Sequence, residues 1–143
     1  MSQTYTFTKI FSTPVPHSSE SDLVTISKIV VPRIQRPYAQ GRNGEAETKI
    51  RENFLKEIFK SLKNYSPMDM NFIYGAVKEN KENDSAEFVM ELLDGQQRFT
   101  TLYLLHWYLL NKEDKQDDPA YEPIRYALKS FVYETRTTAT KFC

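Results

Sequence analysis

The chain has 143 residues, 40% of them hydrophobic, which is enough for one domain with a real core. Its 19 basic and 19 acidic residues cancel, so this chain alone is not expected to hold a long track of duplex DNA. The single cysteine and two histidines are too few for a disulfide framework or a zinc site built from those residues. With no apolar run of membrane-spanning length and no start resembling a signal peptide, a reducing cytoplasmic setting is expected.

The first part of the chain predicts short strands and loops. Residues 5–11 alternate in part between apolar and polar side chains and indicate an edge strand. Residues 12–22 are rich in serine and proline, as in a linker. Residues 24–31 predict a strand that Pro32 ends. Residues 33–44 contain a proline and two glycines and predict a polar loop.

The middle of the chain predicts a helix, a hairpin and a second helix. Residues 46–62 carry an apolar stripe at helical spacing. Residues 71–77 and 87–93 predict two strands joined by the charged loop 78–86. Residues 96–111 lack Pro and Gly and are apolar on most faces, which is typical of a central, largely buried helix.

We expect one domain over residues 1–143 with three parts. Residues 1–22 form the N-terminal strand and linker, and residues 23–111 form the core that bears the main motif. Residues 112–143 hold a charged link and a short helix and read as the start of a further helical segment. We therefore expect the chain to be a fragment of a longer protein.

The main motif lies between the second hairpin strand and the second helix, and reads Asp94-Gly95-Gln96-Gln97-Arg98. Asp-Gly favours a turn, and the first amides of a helix have no partner within it and carry partial positive charge. Such a helix start suits phosphate oxygens, and Arg98 would add a planar fork of donors. An equally open interpretation is that Asp94 caps the helix and that Gln96, Gln97 and Arg98 form a solvated first turn.

This motif is similar to the signature of the GmrSD-type restriction endonuclease N-terminal domain family. Other segments resemble that family in matching order, namely Val-Pro-Arg-Ile-Gln-Arg-Pro-Tyr at 31–38, Phe-Leu-Lys-Glu-Ile at 54–58, Phe-Ile-Tyr-Gly-Ala-Val at 72–77 and Tyr-Glu-Thr-Arg at 133–136. Gln40 stands where the family often has Trp, and Ile34 replaces the usual aromatic residue. The resemblance implies an α+β fold like the ParB/sulfiredoxin group, a small mixed sheet with packed helices, here truncated at its C-terminus.

The resemblance also implies a function in bacterial defence against modified foreign DNA. The domain would bind and hydrolyse a nucleoside triphosphate with Mg²⁺, while DNA is met through the full-length protein or a partner nuclease. The sequence contains no Walker-type loop, Ser/His/Asp set or His-Asn-His motif, so any nuclease activity would reside elsewhere. Alternatives are a non-catalytic module that senses modified DNA or a partner through loop 33–44, and a DNA-nicking domain dependent on Asp94. A homo-oligomer is compatible with the sequence.

The candidate catalytic residues follow from the motif and the resemblance together, and are Asp94, Gln96, Gln97 and Arg98. Arg98 would stabilise phosphate charge. The glutamines would orient water or bind phosphate oxygens, because an amide is too weak a base to abstract a proton. Asp94 is also the candidate metal ligand, since Mg²⁺ often uses one carboxylate with phosphate oxygens, although a capping Asp94 would need no metal.

The candidate nucleotide-binding residues include the early loop as well as the motif. They are Gln35, Arg36, Tyr38, Gly95, Gln96, Arg98, Thr100 and Thr101. Tyr38 would stack on a base or anchor the loop on the core, and both options stay open. Arg36 with Arg33 would add charge, or form a surface ion pair of little value. Arg136 would complete the site from the far side, whereas His106, inside the apolar helix, is expected to be a hydrogen-bonded core histidine.

Overall fold

The computed structural model describes residues 5–19, 21–35, 38–70, 73–82 and 85–134. Its strands and helices in chain order are β1 (Val15–Pro16), β2 (Leu23–Val24), β3 (Ile26–Val31), α1 (Glu45–Lys63), β4 (Tyr74–Glu82), β5 (Ser85–Asp94), α2 (Gln96–Lys112), α3 (Glu122–Lys129) and β6 (Phe131–Tyr133). Short 3₁₀ turns occupy Lys9–Phe11 and Pro119–Tyr121. The α+β class expected from the sequence is confirmed, and the likeness to the ParB/sulfiredoxin group stays a prediction.

The main sheet has four strands in the order β4-β5-β3-β6. β4 and β5 form an antiparallel hairpin, while β3 runs parallel to both β5 and β6. Val30 lies opposite Glu91 on one side, and Val31 lies opposite Tyr133 on the other. Parallel strands end at the same edge of a sheet, so the carboxyl ends of β3, β5 and β6 lie at one edge.

The core lies around β3 and the first turns of α2. Its buried apolar side chains come from the N-terminal segment, β1, β2, β3, β5, α2 and α3, and are Phe7, Phe11, Val15, Val24, Ile26, Ile29, Val31, Leu92, Phe99 and Ala127. The Phe99 ring lies 5.4 Å from that of Phe7 and 5.2 Å from that of Phe131. Burial of one such ring contributes about 1.5–3 kcal/mol, so these contacts help to hold the first turn of α2 against the core.

The predicted edge strand at residues 5–11 is wrong. The structure has a 3₁₀ turn at Lys9–Phe11, and both Phe7 and Phe11 are buried in the core. Apolar side chains four positions apart fall on one side of a helical turn as well as on one face of an extended strand. The linker predicted at residues 12–22 also contains β1, which pairs antiparallel with β2.

The predicted hairpin is confirmed, but the predicted charged loop at residues 78–86 is wrong. β4 continues to Glu82 and β5 begins at Ser85, so most of that stretch is paired strand. One of its charged residues, Lys78, forms an ion pair across the strands with Glu91 of β5 at 2.6 Å. Cross-strand pairs of opposite charge support a sheet that apolar patterning alone does not reveal.

The helices predicted at 46–62 and 96–111 are confirmed as α1 and α2, but α2 is not largely buried. Four residues of its first two turns are buried, whereas four apolar residues further along are exposed by 42–53%, namely Leu104, Trp107, Tyr108 and Leu109. No residue of α1 is buried, and Phe59 is 69% exposed. Apolar residues on a helix predict a face that another element can cover. They do not predict whether the described part of the chain covers that face.

Gly95 joins β5 to α2 in a left-handed backbone conformation that residues with a side chain rarely adopt. Its φ is +81°, and an added Cβ would lie 3.0 Å from Cγ1 of Ile73. We expect Gly95→Ala to lower the free energy of unfolding by about 1–3 kcal/mol, measured by urea denaturation followed by circular dichroism. Gly44→Ala is the matched control, because Gly44 has φ −64° and its added Cβ meets only the flexible Glu47 side chain. Equal losses in the two variants would contradict the expectation.

Candidate functional site

The candidate site lies at the sheet edge where the three parallel strands end. The loop after β3, the turn after β5 and the end of β6 all emerge there. In open sheets with parallel strands, ligands bind outside the carboxyl ends of those strands. The topology therefore brings the early loop and the main motif, far apart in sequence, to one place.

The turn after β5 is built on Gly95. Gly95 is the N-cap residue of α2, and its carbonyl accepts from the Phe99 amide at 3.0 Å. Asp94 is the last residue of β5, and its Oδ1 accepts from the Gly95 amide at 2.7 Å. The interpretation of Asp94 as the helix cap is therefore wrong. The exposed Asp94 carboxylate instead stands at the strand end, just ahead of the helix.

The first turn of α2 is not solvated. Gln96 is only 5% exposed, and Gln97 and Arg98 are half-buried. Thr100 is 6% exposed, and its Oγ1 has no hydrogen-bond partner within residues 5–134 as far as the structure describes them. The polar side chains at the start of α2 therefore lie partly or wholly in the interior of the domain. The solvated-turn interpretation is wrong.

The loop after β3 is fastened to this turn by two side chains of α2. The Ala39 amide donates to Oε1 of Gln97 at 2.8 Å. The Tyr38 hydroxyl lies 2.9 Å from Oγ1 of Thr101, and Thr101 also contacts the side-chain oxygen of Gln40. The structure thus brings Tyr38, Gln97 and Thr101 together, and it favours the anchoring role for Tyr38 over base stacking.

Gln35 ties the start of the same loop to the end of β5. Its Nε2 donates to the carbonyls of Leu92 at 3.3 Å and Leu93 at 3.2 Å. The side-chain nitrogen of Gln35 thus holds the loop to the end of β5, directly before the motif. A carbonyl oxygen repels phosphate oxygens, so the side-chain oxygen of Gln35 is suited to a cation or a donor group rather than to phosphate.

Arg98 links α2 to the segment that precedes β4. Its Nη1 donates to the Met70 carbonyl at 2.7 Å. The guanidinium therefore holds a neighbouring backbone segment as well as supplying charge at the helix start. Its fork geometry allows both, because different N–H groups point in different directions.

Two predicted residues, Arg36 and Arg136, lie outside the described residues. His106 is confirmed as a hydrogen-bonded histidine, since its Nδ1 lies 2.8 Å from the Leu102 carbonyl and its ring stacks on Phe7 at 4.3 Å. Arg33, by contrast, lies exposed in the loop. Among the residues that the structure describes, no group of three or more His, Cys, Asp or Glu side chains could hold a metal ion.

Sequence reasoning missed Gln40, Arg51 and Tyr133 at this site. Gln40 was noted only as a departure from the family pattern, yet its side chain contacts Thr101. Nη1 of Arg51 lies 2.6 Å from the Gln40 carbonyl and 3.0 Å from that of Arg42. The available signal for Arg51 was its place in the first half of the helix that directly follows the loop.

Tyr133 approaches the loop from β6. Burial raises the pKa of its phenol above the usual value of 10.0, while a hydrogen bond from the Tyr38 backbone acts in the opposite direction. The neutral phenol is therefore favoured by folding. The neutral Tyr133 phenol contributes fully to the free energy of unfolding below pH 10. That contribution is lost as the pH rises through the raised pKa of Tyr133.

We expect Tyr133 to ionise at higher pH than a tyrosine in a model peptide, because its phenolate would be partly removed from water. An ultraviolet titration of the wild type minus that of Tyr133→Phe isolates this phenol. A blocked tyrosine peptide titrated in the same buffer is the reference. A Tyr133 midpoint equal to that of the model peptide would contradict this expectation.

The chain was compared with known proteins. Residues 20–142 match the model of the GmrSD restriction endonuclease, N-terminal domain. No match was found among curated proteins or among solved structures. Within the described ranges, no helix has both the length and the apolar character needed to cross a membrane. Because the matched segment covers most of the sequence, the chain belongs to the family of GmrSD restriction endonuclease N-terminal domains.

Proposed function

We propose that this domain binds and hydrolyses a nucleoside triphosphate at the start of α2, within a protein that restricts modified foreign DNA. Family membership identifies a restriction-related protein that acts on DNA. The observation that carries the nucleotide proposal is the fastening of the loop after β3 over the first turns of α2, at the carboxyl edge of the parallel strands. This arrangement encloses a helix start that begins at a left-handed glycine.

The first turn of α2 supplies the groups that a phosphate requires. Its leading amides have no carbonyl partner inside the helix and lie at the positive end of the helix dipole. The half-buried Arg98 adds a full positive charge beside them. Charge is stabilised more strongly where water is partly excluded, and the burial of Gln96 and Thr100 indicates such a setting.

The two glutamines of the motif would have different roles, one in holding the loop and one in orienting water. Gln97 holds the loop through the Ala39 amide, so its oxygen is already engaged. Gln96, buried in the first turn, is the better candidate to orient an attacking water. Neither amide would take the proton, because an amide is not a competent base at neutral pH.

Mg²⁺ fits this site as an ion that accompanies the nucleotide. Asp94 is an exposed carboxylate at the end of β5, directly ahead of the phosphate-binding turn. Magnesium is commonly held by one or two protein carboxylates together with phosphate oxygens and water. When bound, the ion would offset negative charge on the phosphates.

Calorimetric titration of a panel of nucleoside triphosphates, with and without Mg²⁺, tests the proposal. We expect the wild type to bind and Arg98→Ala to bind about 10–100-fold more weakly, because the variant lacks the cation beside the helix start. Arg98→Lys should recover part of the affinity, since it keeps the charge but not the fork. Circular dichroism at the same temperature verifies that each variant is folded.

Arg125→Ala is the matched control. Arg125 also donates to backbone carbonyls, those of Gln116 at 2.7 Å and Asp118 at 2.8 Å, but it lies on α3. Its loss should lower stability and leave nucleotide affinity unchanged. A folded Arg98→Ala variant with wild-type affinity, or a wild type that binds none of the nucleotides, would overturn the proposed function.

A second candidate function is recognition of modified DNA by the loop after β3. The observation in its favour is that Ile34 is 84% exposed next to the exposed Arg33. Under this alternative, Arg33→Ala and Ile34→Ser each weaken binding to a modified duplex without nucleotide, measured by fluorescence anisotropy. Lys129→Ala on α3 serves as the control for general loss of charge. Equal binding of modified and unmodified duplex would remove this candidate.

A further inference from the structure

We propose that Arg51 is a positioning residue for the nucleotide site, acting through the loop after β3. This inference rests on the proposed function. Arg51 lies in the first half of α1 and is half-buried. Its Nη1 contacts two loop carbonyls, that of Gln40 at 2.6 Å and that of Arg42 at 3.0 Å.

The two carbonyls belong to one tight turn. The Arg42 amide donates to the Ala39 carbonyl at 3.0 Å, which closes the turn over residues 39–42. The same turn provides the Ala39 amide to Gln97 and the Gln40 side chain to Thr101. The turn is therefore held from two sides, by Arg51 of α1 and by the first two turns of α2.

The composition of the loop explains why it needs a charged fastening. Gly41 lies within the turn, and Gly44 precedes α1, so the unfastened backbone has many accessible conformations. Gly41 also packs closely on Tyr38, since an added Cβ would lie 3.1 Å from Cε1 of the Tyr38 ring. Hydrogen bonds from a guanidinium are stronger than neutral ones and can hold such a turn in one arrangement.

Fastening the loop in advance increases nucleotide affinity. A ligand that needs an ordered loop binds with an affinity reduced by the fraction of molecules in which the loop is ordered. Removing Arg51 lowers that fraction while leaving α2 and its helix start intact. Arg51 thus affects the site through the loop, with no requirement that it touch the nucleotide.

Two measurements on the same variants test this role. The first is calorimetric affinity for the nucleoside triphosphate that the wild type binds most tightly. The second is amide hydrogen exchange at Ala39 and Arg42, with the Phe99 amide of α2 as internal reference. We expect Arg51→Ala to lose affinity about tenfold and to exchange faster at Ala39 and Arg42, but not at Phe99.

Conservative and control variants separate positioning from general stability. Arg51→Lys should restore part of the affinity and of the protection, because an ammonium can still donate to a carbonyl. Lys56→Ala, five residues further along α1, removes only an exposed contact to Glu52 at 3.9 Å and should behave as the wild type. A purely structural Arg51 would change exchange at Phe99 as much as at Ala39.

Different results would overturn the positioning role of Arg51 and the proposed function. Unchanged affinity and unchanged exchange in Arg51→Ala overturn the inference while the proposed function stands. Equal acceleration of exchange at Phe99 and Ala39 also overturns it, since the variant would then loosen the whole fold. A wild type without nucleotide binding overturns the proposed function and the positioning role together, and the exchange data then show only whether Arg51 holds the loop.

Discussion

The parallel pairing of β3 with β5 is the constraint on which the rest of this structure depends. It places the carboxyl ends of the two strands side by side, so the loop after β3 meets the turn after β5. Gln35 completes the junction by donating to the carbonyls of Leu92 and Leu93. In another register the loop would not lie over α2, and neither Gln97 nor Thr101 would contact it.

Several side chains at the site have a structural task that is visible in the fold. Gln97 and Thr101 hold the loop, and Arg98 holds the Met70 carbonyl. Because these side chains already hold other parts of the fold, their rotamers are fixed. A pre-organised site needs side chains with fixed rotamers. Substitutions there are therefore expected to change stability, so any effect on the proposed nucleotide binding must be measured separately from it.

The sequence predicted the elements whose patterns are local. Helical spacing identified α1 and α2, and the Asp-Gly pair identified the turn between β5 and α2. The N-terminal segment was wrongly predicted because Phe7 and Phe11 fit an extended strand as well as a turn. The exposure of Trp107 and the contacts of Arg51 depend on which elements pack against each helix, and no local pattern contains that information.

The order of pairing in the sheet also has a consequence for how the chain folds. β4 and β5 are adjacent in sequence and close through a short hairpin, whereas Gln35 and Leu92 are 57 residues apart. Closing a longer loop costs more chain entropy and slows folding. We therefore expect the hairpin to form first and β3 and β6 to add to it later. The site requires residues 38–40 and 97–101 to meet, so we expect it to form after the hairpin.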